Sequence, residues 1–261
     1  MNDDVCRTTN ARIYDALLGG HSHVLAHRAA AEQLTSVYRL ASFHAETSRR
    51  FVADALGRAA DDPGNIRQVL DLGCGFPDWR PYPHDIVEAR QPQTRTVYCD
   101  NDTMVLAHAR AILDEPYGAR VVPWDLEKPG ILDDPSLCGH LDLGEPVAVV
   151  LAGVIECLTD TAAARLLRDL SALARDSVII VTTTACTDPD TARLITETMD
   201  DVADGRWGQM RTPAQLVAVH PALPTLSSLP QVHGLPTIHP ERVATFTGPD
   251  LLTGTLRPYQ L

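Results

Sequence analysis

Basic residues are scarce: 22 Lys and Arg stand against 34 Asp and Glu, giving a formal net charge of −12 and a pI near 5.2. A duplex or RNA backbone is met by a basic face, so this balance excludes a nucleic-acid partner and points to a small molecule. Long apolar runs are missing too. No stretch approaches the ~20 uninterrupted apolar residues of a membrane span, and the N-terminus, MNDDVCRTTN, is acidic and polar where a signal peptide is basic and then apolar. The expectation is a cytoplasmic protein without membrane contact, with a homo-oligomer left open. There is no Cys-x-x-Cys pair: the six cysteines (6, 74, 99, 138, 157 and 186) are scattered, which argues against a disulfide framework and a cysteine zinc site and for reduced thiols. No metal is expected. His23 and His27 share a helical face, but a surface helix with spare histidines explains them.

What is present is enough for one α/β domain: 261 residues, of which 44 percent are hydrophobic. Residues 10–60 read as helices. Asn10 is the expected N-cap of a helix over 11–18 with Ile13, Leu17 and Leu18 on one face, and Gly19-Gly20 stops it; further helices are expected over 23–37 and 42–60. Asp61-Asp62-Pro63-Gly64 reads as a turn, after which short apolar runs alternate with helical segments. Strands are expected at 69–72, 96–99, 119–122, 146–152 and 177–182, and helices at 83–89, 102–113, 129–138 and 160–175. Such alternation predicts a mostly parallel sheet with helices on both faces and a ligand crevice at the carboxyl ends of its strands. The stretch 221–240, with five prolines, shows no clear period, and only 242–247 and 253–257 are candidates for a closing hairpin. The chain divides into a helical lid or cap over 1–62 and a core over 63–261 whose C-terminal part diverges from about 217.

The polar residues that end these strands form a series. Asp71, Gly73 and Gly75 close the first strand in "QVLDLGCGFP", Asp100 closes the second in "VYCDND", and Asp125 follows the third in "VVPWDLEKP". A nucleoside across strand ends needs backbone N–H groups near its charged tail, a carboxylate for the ribose hydroxyls and an acceptor for the adenine amine. The dinucleotide pattern G-x-G-x-x-G fails because Asp78 stands where the third glycine belongs, and no Lys followed by Ser or Thr makes 76–83 a nucleoside-triphosphate loop. An adenosine end without phosphates is the signature of S-adenosylmethionine (SAM).

The chain resembles the bacterial SAM-dependent methyltransferases that begin with Tyr-Asp-x-Leu-Leu-Gly-Gly. The matching stretches are "ARIYDALLGG" (11–20), "LDLGCGFP" (70–77), "VYCDNDTMVLAHARAIL" (97–113), "EPVAVVLAGVIECL" (145–158) and "MRTPAQL" (210–216). The resemblance implies a three-layer, Rossmann-like class I methyltransferase fold, SAM as cofactor and S-adenosylhomocysteine as product. It implies that Gly73 and Gly75 pass under the methionine part, Asp100 holds the ribose, and Asp125 with Trp124 or Leu126 frames the adenine; Asp71 beside the glycines and Asn101, which touches the adenosine or only the turn, complete the expected cofactor site. Ala152 and Gly153 would border the methyl group, and Tyr14, Gly19, Gly20 and His21 would cover the cofactor from the N-terminal side.

Departures from the family pattern fall on the acceptor side. His21-Ser22-His23 follows the glycine pair where the family has Lys-Asp-Asn, Glu156 stands where it favours His, and of its C-terminal Trp-Arg-Pro only Arg257-Pro258 remains. His21, His23 and Glu156 are therefore the candidate catalytic groups, with His84 a further base within reach; Glu156 can alternatively cap the helix beginning near Thr159. The expected function is in-line methyl transfer from SAM to a small-molecule acceptor of secondary metabolism. The rivals are a SAM-binding enzyme of the same fold that catalyses a non-methylating step, such as a cyclisation, and a non-catalytic SAM-binding protein.

Overall fold

The computed structural model describes residues 8–61, 66–115, 118–203, 207–220 and 243–247. The N-terminal segment is helical: α1 (Asn10–Leu17), α2 (Leu25–Val37) and α3 (Ala41–Asp61). The cap of α1 is the extended Thr9, one residue before the expected Asn10, which is already helical. Gly19 ends α1 in the left-handed region (φ 70°), where its N–H and that of Gly20 bond back to Ala16 and Asp15.

The alternating part follows as β1 (Gln68–Leu72), α4 (Pro83–Glu88), β2 (Arg95–Asp100), α5 (Thr103–Ile112), β3 (Ala119–Pro123), α6 (Pro135–Cys138), β4 (Ala148–Ala152), α7 (Asp160–Leu170), β5 (Val178–Thr183), α8 (Pro189–Val202), α9 (Pro213–Val219) and β6 (Val243–Thr247). The strands form one sheet in the order β3-β2-β1-β4-β5-β6, with every neighbour parallel. The chain reverses its direction of travel across the sheet between β1 and β4, which opens a crevice beyond their carboxyl ends. This is the expected three-layer α/β fold. Side-chain alternation sorts the layers: Leu70, Leu72, Val149 and Leu151 pack with α6 and α7, whereas Val69, Ala148 and Val150 pack with α3 and α4.

A separate apolar cluster lies beyond the strand ends, where Ile13 of α1 and Leu34 and Tyr38 of α2 meet Ile195 and Met199 of α8. This cluster ties the N-terminal helices to α8.

Several expectations are corrected. The single helix expected over 129–138 is a 3₁₀ turn (Ile131–Asp133) and then α6, because the extended Asp134 breaks the run and accepts the N–H groups of Ser136 and Leu137. The helix expected over 160–175 ends at Leu170, where the Ser171 hydroxyl bonds back to the Arg168 carbonyl (2.6 Å). Helices α8 and α9 were not anticipated, although Asp188-Pro189 and Thr212-Pro213 are a cap followed by proline at the first helical position. The candidate at 242–247 contains β6, which pairs parallel to β5 and is not the arm of a hairpin with it. Residues 221–240 and 253–257, and most of the turn expected at 61–64, lie outside the described residues. Among the described residues no helix is long and apolar enough to cross a membrane.

Candidate cofactor and acceptor cavity

A cavity of about 850 Å³ opens at the carboxyl ends of the strands. Its floor is the turn after β1. Gly73 (φ 75°) and Gly75 (φ 66°) are both left-handed, and a Cβ on Gly73 would lie 2.6 Å from Val154 Cγ2, so only glycine lets the chain pass there. The Gly73 and Cys74 N–H groups bond to the Cys99 carbonyl (2.8 and 3.0 Å), which ties this turn to the end of β2.

Two buried carboxylates stand on the floor. Asp100 accepts the N–H groups of Gly75 (3.0 Å), Asn101 (2.8 Å) and Asp102 (2.9 Å), yet burial still pushes its pKa up to about 6. Burial pushes Asp71 up to about 7, with Arg49 pulling in the opposite direction and Asp100 adding to the rise. The half-buried Arg49 of α3 lines the same cavity; its guanidinium lies over the Tyr14 ring (5.8 Å to the centroid) and its Nε is buried without a hydrogen-bond partner. Asp125 is partly exposed and accepts the Glu127 N–H (3.1 Å), with Trp124 and Leu126 beside it on the wall. Asn101, Ala152 and Gly153 also line the cavity; the Tyr14 ring lies against Gly153, and the Tyr14 hydroxyl donates to the Ala45 carbonyl (3.2 Å).

The structure thus brings together Tyr14, Asp71, Gly73, Gly75, Asp100, Asn101, Asp125, Leu126, Ala152, Gly153 and Glu156. It leaves out Gly19, Gly20, His21 and His23, which do not line the cavity. The reason is a polar latch outside it. Asp78 accepts the His21 and Ser22 N–H groups (2.8 and 3.0 Å) and the Ser22 hydroxyl (3.0 Å), while buried Asp15 holds the His23 ring (2.8 Å). The His21 side chain is exposed, and that of His84 is engaged with the Tyr98 hydroxyl (2.7 Å). His27 accepts the Val24 N–H at the start of α2.

Glu156 does not cap α7. Thr159 does so through the Ala162 N–H, and Glu156 sits in a 3₁₀ turn (Ile155–Cys157) after β4, where its Oε1 accepts the Thr184 N–H (2.6 Å). It is buried, burial raises its pKa, and its Oε2 has no partner. Buried Arg211 steadies this turn by donating to the carbonyls of Ile155 and Leu158 (2.6 Å each) and to Asp160 (2.8 Å). The reading of the sequence passed over Arg49, Tyr38, His44, Trp207 and Met210, all of which line the cavity.

The profile of the S-adenosyl methyltransferase family matches residues 2–228. The chain belongs to that family. It is a SAM-dependent methyltransferase, and the floor suits the cofactor: a glycine turn close enough for backbone approach, two buried carboxylates and a cation with an unsatisfied N–H. Two solved structures share most of the chain. One, a protein assigned as a methyltransferase from Thermobifida fusca YX, is 28% identical with a TM-score of 0.71, covering 83% of this chain and 81% of that one. The other, a DUF574 family protein from Streptomyces avermitilis MA-4680, is 29% identical with a TM-score of 0.71 and covers 82% of each chain. No curated protein matches the chain.

Proposed function

We propose that the protein methylates a small-molecule acceptor, of the kind made in secondary metabolism, bound in the same cavity as SAM. The observation that carries this reading is the cavity's two-part lining. One end holds the glycine turn and the Asp71–Asp100 pair; the other is mainly apolar, with Ile13, Leu34, Tyr38, Trp207 and Met210 around it. Its volume, about 850 Å³, is near the top of the range for a single ligand, which favours two occupants.

In this reading Asp100 and Asn101 receive the ribose, Asp125 and Leu126 frame the adenine, and Asp71, Gly73, Gly75 and Arg49 surround the amino-acid tail. Ala152, Gly153 and Tyr14 border the reacting methyl group, and α1 to α3, within 1–62, form a lid. SAM supplies a methyl group already activated by its sulfonium. The chain's own residues then contribute by orienting the acceptor and excluding water, and Glu156, buried beside Thr184 with its Oε2 unpartnered, is placed to hold a polar group of the acceptor. The test is incubation with SAM and a panel of phenols, carboxylic acids and amines, reading S-adenosylhomocysteine by mass. Release above the acceptor-free rate with at least one small molecule is expected; no release with any class, in protein that binds SAM, contradicts the reading.

A further inference from the structure

His44 was singled out by no motif, yet it places a buried ring nitrogen among the apolar residues of the cavity. It lies on α3, is 5% exposed, and lines the cavity. Its Nδ1 is engaged by the Tyr38 hydroxyl, and its Nε2 is buried with no hydrogen-bond partner. Native proteins rarely leave such an atom unsatisfied, and on a residue that lines a cavity it calls for a ligand atom. The surroundings limit what that ligand is. The Tyr38 ring meets the His44 ring edge-on, and Ile13, Leu34, Trp207 and Met210 complete an apolar and aromatic wall. A flat molecule with an apolar body and a polar edge fits such a wall, where Trp207 Nε1 is likewise buried without a partner.

The Tyr38–His44 bond sets the polarity of Nε2: in the tautomer whose Nδ1–H donates to the Tyr38 oxygen, Nε2 carries a lone pair. Burial lowers the His44 pKa to about 4, which keeps the ring neutral and that lone pair available.

We propose that His44 Nε2 accepts the hydrogen bond, and then the proton, of a weakly acidic hydroxyl on an aromatic acceptor. This rests on the methyltransferase reading above and gives it a substrate class. The step balances: the hydroxyl oxygen gives an electron pair to the methyl carbon, the carbon–sulfur pair stays on sulfur, and the hydroxyl proton ends on Nε2 and later passes to solvent. A weak base is enough, because an oxygen that is gaining a methyl group becomes a far stronger acid than an imidazolium.

The test uses 2-naphthol and 2-methoxynaphthalene, two probes of one shape of which only the first can donate, titrated into protein saturated with S-adenosylhomocysteine. Wild-type protein is expected to bind 2-naphthol about tenfold more tightly, the scale of one buried hydrogen bond to an otherwise unsatisfied group. His44→Phe and His44→Leu are expected to erase that preference while S-adenosylhomocysteine affinity stays within about twofold, and wild type but not His44→Phe should turn 2-naphthol into its methyl ether. Equal binding of the two probes by wild type, or a preference that survives in either variant, overturns the proposal even if only one variant folds. Failure of wild type to bind 2-naphthol also overturns it, but leaves the cofactor reading intact when S-adenosylhomocysteine binds. Failure to bind S-adenosylhomocysteine at all removes the reading on which it rests.

Discussion

Asp71 and Asp100 show how far the site departs from what folding alone favours. Burial raises their pKa values from 3.8 to about 7 and about 6, so the folded protein holds protons that the unfolded chain releases. Their contribution to stability is complete below about pH 4 and is lost as pH rises through those values; at pH 8 the cofactor-free protein carries two buried charges. Replacing Asp71 by Asn should therefore stabilise the cofactor-free protein at pH 8 by on the order of 2 kcal/mol, read as a higher Tm, and change it little at pH 4.5. Calorimetric melting at the two pH values checks this; an equal shift at both contradicts it. Asp100→Ala should weaken SAM by about 1.5–3 kcal/mol in titration calorimetry, the scale of lost charge-assisted hydrogen bonds. An unchanged affinity would move the ribose site elsewhere. These acids were legible because each ends a short apolar run, a pattern carried by neighbouring residues. Arg49 and His44 were not, because nothing within a turn of α3 distinguishes them. They reach the cavity through contacts distant in sequence, among them the 2.6 Å bond from Ser48 to Thr182, 134 residues away.

Whole segments explain what single side chains do not. The stretch "GGHSH" reads as a run of possible ligands, but its backbone is clamped to Asp78, whose carboxyl lies below its usual range because His21 and Ser22 donate to it. Asp78→Ala should release α1 and leave the sheet intact: amide exchange over 10–18 should rise at least about tenfold, matching the loss of hydrogen bonds to a charged acceptor, with β1 and β4 still protected. Loss of protection in those strands would make the N-terminal helices part of the core, as the burial of Ile13 and Leu18 already allows, and not a lid. Arg211, in the "MRTPAQL" stretch, gains a role that only the fold reveals. Buried to 1% exposure, it braces the turn that carries Glu156, and Arg211→Ala should cost about 3–5 kcal/mol in denaturant unfolding, since it orphans two buried carbonyls. A loss under about 1 kcal/mol contradicts that role. Elements were readable where polar caps and apolar spacing agreed, as for α5 with Asp102. They were misread where a residue such as Asp134 broke a run from within.

At the scale of the molecule, parallel strands, a reversal between β1 and β4 and side chains from α1, α2 and α3 line a cavity with a charged floor and an apolar far wall. The strand and helix alternation made that topology foreseeable, whereas the packing of α1 and α2 on α8 depends on side chains that no local pattern joins. The account stands or falls on whether this floor takes the cofactor. SAM carries a sulfonium charge that S-adenosylhomocysteine lacks, and the floor offers two carboxylates whose ionisation is complete only above their raised pKa values of about 7 and about 6. Titration calorimetry with both compounds at pH 8 and pH 5.5 is the most direct measurement. Both should bind at one site per chain and compete, and SAM should lose more affinity than S-adenosylhomocysteine on going to pH 5.5. Failure of either compound to bind at millimolar concentration, in protein with an intact sheet, would contradict the account.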